Sequence, residues 1–74
     1  IYPVGGLVKL KTGKLALVLE SNENTPLQPI VKIIYSTTGK HYLDVKVIDL
    51  AKTPTEEIES TVDPKEYGID IRGC

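Results

Sequence analysis

Gly5 to Glu20 reads GGLVKLKTGKLALVLE, and the rest of the 74-residue chain is organised around it. Two apolar-rich runs flank Thr12-Gly13, and a two-residue loop ending in glycine between such runs signals a β-hairpin. In the first arm Val8 and Leu10 alternate with Lys9 and Lys11, the period-two pattern of a half-buried strand. In the second arm Leu15, Leu17 and Leu19 alternate with Ala16 and Val18, so both faces are apolar. Such a strand belongs at the centre of a sheet, covered on both sides.

Outward from the hairpin, Ile1-Tyr2-Pro3-Val4 is an extended lead-in, because Pro3 fixes its own φ and keeps Tyr2 out of the helical region. Gly5-Gly6 makes a corner. Downstream, Ser21 to Pro29 is a loop by composition, with two prolines that an interior ladder would reject. Ile30 to Tyr35 reads as a strand with Val31, Ile33 and Tyr35 on one face and Ile30, Lys32 and Ile34 on the other. After the glycine-containing loop 36–40, His41 to Ile48 alternates cleanly. Leu43, Val45 and Val47 are expected on the core face and Tyr42, Asp44 and Lys46 in water, a set that a one-residue slip would expose.

Over 55–62 the local signals conflict. Thr53-Pro54-Thr55-Glu56 has capping-box spacing, yet Ile58, Ser60 and Val62 alternate, which favours a short strand at about 57–62. Asp63-Pro64-Lys65-Glu66-Tyr67-Gly68 carries an N-cap, a first-turn proline, a box-closing glutamate and a glycine stop, and so predicts one helical turn near 64–67. Ile69-Asp70-Ile71 then continues as an extended tail. The expectation is one all-β domain over 1–74: a small five-stranded SH3-like or half-open barrel.

A chain of this length buries only roughly 60% of its unfolded surface. One cysteine, Cys74, closes no internal disulfide, and one histidine, His41, builds no zinc site with it alone. The core must be aliphatic. Trp, Phe and Met are absent, and β-branched residues are plentiful. No run reaches the roughly 20 apolar residues that span a bilayer, and no secretory signal opens the chain. An unpaired thiol fits a reducing, cytoplasmic setting.

Charge divides the chain. Residues 1–46 hold six lysines against three acids, +3, and residues 47–74 hold three bases against seven acids, −4, which leaves −1 in total. Two readings follow: surfaces that compensate one another within the fold, or a basic hairpin face for an anionic partner. The candidate contacts for an anion such as a nucleotide or RNA are Lys9, Lys11, Lys14 and Lys32. Near-zero net charge speaks against sequence-independent nucleic-acid binding.

Catalytic chemistry finds no set of residues. Ser21, Ser36 and Ser60 are expected to have no nearby histidine to act as base. Gly5-Gly6 lacks the further glycine of a dinucleotide cradle, and Gly13-Lys14 and Gly39-Lys40 lack the earlier glycine of a P-loop. Glu56, Glu57 and Glu59 read as a solvated acidic face rather than a metal site. No cofactor is expected.

The series Ile1-Tyr2-Pro3-Val4-Gly5, Leu7-Val8-Lys9-Leu10, Thr12-Gly13, Ala16-Leu17-Val18, Asn22 through Pro29, Val31, Ile48-Asp49-Leu50 and Asp63 through Asp70 resembles the tail segment that follows the HD-GYP phosphohydrolase domain in bacterial signalling proteins. The resemblance implies a longer parent with a metal-dependent cyclic di-GMP phosphodiesterase domain upstream, of which this chain is a C-terminal piece. The family's His-Asp metal ligands and Gly-Tyr-Pro signature are absent, and Tyr67-Gly68-Ile69-Asp70 is not that signature. No catalytic residue carries over. The resemblance thus implies an accessory role: packing on the phosphohydrolase domain, a homodimer contact, or sensing a partner.

Overall fold

The computed structural model describes residues 2–73. Five strands, β1 (Leu7–Leu10), β2 (Lys14–Glu20), β3 (Ile30–Ser36), β4 (His41–Asp49) and β5 (Ile58–Val62), form one antiparallel sheet in the order β4-β3-β2-β1-β5. The fold is all-β, of the small half-open, SH3-like kind that the strand spacing predicts. β2 takes the central place its two apolar faces demanded. Ile1 and Cys74 lie outside the described residues.

Alternation along the hairpin divides the core in two. Val8, Leu10, Ala16, Val18, Val31 and Ile33 build one cluster with Leu50 and Ile58. Leu7, Leu15 and Ile34 build the second, which Ile69 closes from outside the sheet. Leu10 and Leu15 are fully buried, and burial of such a side chain contributes about 1.5–3 kcal/mol.

The hairpin turn is held from both sides. Gly13 sits at φ +89°, a conformation that side chains disfavour. Its carbonyl accepts from the Thr37 backbone at 2.9 Å and from the Thr37 hydroxyl at 2.5 Å. The β1–β2 turn is therefore tied to the β3–β4 loop.

β3 and β4 depart from plain alternation. Leu15 pairs with Tyr35 but Ala16 pairs with Ile33, which leaves Ile34 as a β-bulge. Ile34 and Tyr35 consequently both join the second cluster, and the expectation that Tyr35 shares a face with Val31 and Ile33 fails. On the next strand Tyr35 pairs with Tyr42 and Ile33 with Lys46, so 43–45 stand against Ile34 alone. This two-residue excess breaks the Leu43, Val45, Val47 face. Val45 and Val47 are 60% and 56% exposed, while half-buried Leu43 and Ile48 pack on the first cluster. Period two cannot register a bulge on an outer strand.

After β4, Leu50–Lys52 forms a 3₁₀ turn capped by the Asp49 side chain, and Leu50 drops into the first cluster. No helix forms over 55–62; the strand reading holds. Pro64–Tyr67 is the expected helical turn, a 3₁₀ turn with Asp63 and Glu66 completing the capping box and Gly68 in the left-handed region. Ile69 donates its amide to Pro64 at 3.0 Å and turns inward. The tail is not extended: Ile71–Gly73 is a further 3₁₀ turn.

Candidate functional site

The two oppositely charged halves of the chain meet along the β1–β5 side of the sheet. β1 and β5 are antiparallel neighbours, with Lys9 opposite Ser60. Each hairpin lysine reaches a glutamate that lies on, or just before, β5. Lys9 pairs with Glu59 at 3.6 Å, Lys11 with Glu57 at 3.2 Å, and Lys14 with Glu56 at 3.2 Å. Glu56 is the anchor of the strip: its side chain is 9% exposed, and it also accepts a hydrogen bond from the Thr12 hydroxyl at 2.7 Å. The first reading of the charge division, compensation inside one fold, is the arrangement of these side chains.

Of the four lysines put forward for an anion, three are thus held by carboxylates. Lys32 sits on β3, opposite Leu17 and Val47 in the strand register. A nucleotide or RNA that used the hairpin lysines would have to displace Glu56, Glu57 and Glu59. Mutual neutralisation at this range removes most of the field that would draw it in.

Grooves open on the surface among the described residues. One, of about 610 Å³, runs between the lead-in and the 21–29 loop and is lined by Tyr2, Pro26, Leu27, Pro54, Glu56 and Ile58 among others. Another, about 490 Å³, lies over the C-terminal turns between Pro64 and Arg72. Neither contains a histidine or a serine. His41 is exposed at the start of β4 and pairs across the strands with Ser36, so the expectation that no serine has a histidine nearby fails at this position. Among the described residues no three His, Cys, Asp or Glu side chains are grouped to hold a metal ion, and no helix is long and apolar enough to cross a membrane.

Among the described residues, Asp70 is the one whose ionisation is clearly shifted. The Arg72 side chain, and then the Arg72 backbone N–H, donate hydrogen bonds to it and hold its carboxyl below the ordinary aspartate range. It is exposed, so the effect is local.

On β4, Tyr42 is exposed, as its outward phase predicts, and meets half-buried Tyr35 edge-on, with ring centroids 5.2 Å apart. What sequence reasoning missed is that Val45 and Val47 also stand in water on the same outer strand. The bulges that put these two valines there leave no periodic signal.

Residues 7–69 match the family described as a KOW domain associated with HD domain. The chain belongs to that family. This KOW domain is also 42% identical, over 52 residues, to a cyclic di-GMP phosphodiesterase of Pseudomonas aeruginosa; the match covers 70% of the chain and 13% of the relative. The KOW domain thus spans a small fraction of that relative's length. No solved structure matches it. The link to HD domains agrees with the resemblance to the segment that accompanies HD-GYP phosphohydrolases.

Proposed function

We propose that this KOW domain is the non-catalytic accessory module of a cytoplasmic, metal-dependent HD-GYP-type phosphohydrolase that acts on cyclic di-GMP. It packs on the phosphohydrolase domain of the same polypeptide and contributes to that protein's stability and assembly. The observation that carries this reading is the family match, which ties nearly the whole fold to HD domains. Fold alone would not decide the matter, because small barrels host many functions.

The test is deletion of residues 1–74 from the polypeptide that carries them, followed by thermal melting, sedimentation and a cyclic di-GMP hydrolysis assay. A lower melting temperature or altered assembly, with residual hydrolysis retained, is the expected result. Stability, assembly and turnover all unchanged would sink the accessory role. Hydrolysis by the 74-residue chain alone would sink its non-catalytic character.

A further inference from the structure

On β4, Asp44 and Lys46 flank Val45, and all three are exposed. Neither charge is among the ion pairs of the described residues, in contrast to the lysines of the hairpin. The triplet is self-complementary when read against an antiparallel copy of itself. With a two-fold axis at Val45, Asp44 of each copy lies opposite Lys46 of the other, and Leu43 lies level with Val47. Moving the axis to Asp44 or to Lys46 would oppose like charges. Moving it to between Asp44 and Val45 would set Lys46 against Leu43 and leave both charges unmatched. Opposite charges across a strand pair stabilise it and like charges destabilise it, so of these axes the one at Val45 is favoured.

We propose that β4 is a self-association surface, on which a second copy of this chain packs antiparallel about a two-fold axis at Val45. The proposal deepens the assembly role above and rests on it. An outer strand presents unpaired backbone donors and acceptors along its free side, and a second β4 supplies their partners. The excess residues at 43–45 bend the strand. They keep the backbone ladder short, so side chains carry much of the contact. One strand on one strand is a small interface, and the dissociation constant expected is on the order of 0.1 mM. A second attachment inside a longer protein would raise the effective concentration well above that.

Sedimentation equilibrium of the 74-residue chain, from roughly 10 µM to 1 mM, spans this range. A monomer–dimer equilibrium is expected, with amide shifts on dilution confined to 42–48. Asp44→Lys alone and Lys46→Asp alone should each weaken association about tenfold or more, because each turns both cross-strand attractions into repulsions. The double swap should restore it, and an equimolar mixture of the two single variants should pair better than either by itself. All these side chains are exposed, and a thermal melt of each variant verifies the fold. A chain monomeric at about 1 mM, or single swaps that associate like the parent sequence, would overturn the proposal. If deletion alters the longer protein's assembly while the chain alone stays monomeric, β4 pairing falls and the accessory role stands. If β4 pairs and deletion is silent, the accessory role falls.

Discussion

β5 is five residues long and shows Glu59, Ser60 and Thr61 to solvent, whereas β4 runs nine residues and shows Tyr42, Val45 and Val47. Both are outer strands of the same sheet. The β5 side is finished within the chain: its glutamates are taken up by Lys9, Lys11 and Lys14, and a short polar strand is a poor template for a foreign one. The β4 side is guarded only by its bend, with valines and two uncommitted charges left in water. The domain neutralises its hairpin lysines along one side and leaves apolar surface on the other. The β4 side is where the proposed second copy would pack.

Substitutions can break this contrast, and the largest effect belongs to the hairpin. Leu15→Ala in β2 should cost about 2–5 kcal/mol in urea unfolding, enough to unfold a small domain outright. Val47→Ser should stay within about 0.5 kcal/mol of the parent as a monomer; equal losses at the two sites would erase the distinction. Next comes the turn. Gly13→Ala combines φ +89° with the Thr37 and Thr38 side chains, which would lie 3.3 and 3.2 Å from the new carbon. A cost of about 1–2 kcal/mol is expected, read as a lowered denaturation midpoint.

The ion-pair strip should then sort by burial. Glu56→Gln removes the charge beneath Lys14 and Thr12 and should cost about 1 kcal/mol, while Glu57→Gln, in an exposed pair, should cost a few tenths at most, ~0.3 kcal/mol. If the two cost the same, Glu56 is not the anchor. Smallest is Asp70. Its carboxyl is depressed by Arg72, so any stability it adds is present above the ordinary aspartate range and is lost as pH falls through the lowered value. A carboxyl NMR titration should show the Asp70 midpoint rising in Arg72→Ala; an unmoved midpoint would refute the assigned cause.

The hairpin, β5 and the Asp63 capping box could all be read from residue order, because each rests on local rules: a turn glycine, period two, a cap three residues from its glutamate. Leu50 could not, since a leucine just after a strand carries no mark of its inward turn. Ile69 left a signal that went unused. An apolar residue directly after a left-handed glycine is the usual hydrophobic partner of such a helix stop. The faces of β3 and β4 were misassigned because Ile34 and 43–45 shift the phase without altering composition. As for the candidate site, the opposed charges of the two halves were legible in the net counts. The pairing of Glu56, Glu57 and Glu59 with particular lysines needed the register of β1 on β5.

The second cluster has a lid that is not part of the sheet. Leu7, Leu15 and Ile34 are shielded by Tyr67, Ile69 and Ile71, which all follow the last strand. Trimming the polypeptide at residue 62, where hydrogen-bonded pairing stops, would leave every strand in place and flood the second cluster. The cover runs past Val62 through Ile69 to Ile71, and the family match, which ends at residue 69, takes in most of it. Any excision or fusion that respects the strands but severs the 63–69 segment should yield a swollen, aggregation-prone particle.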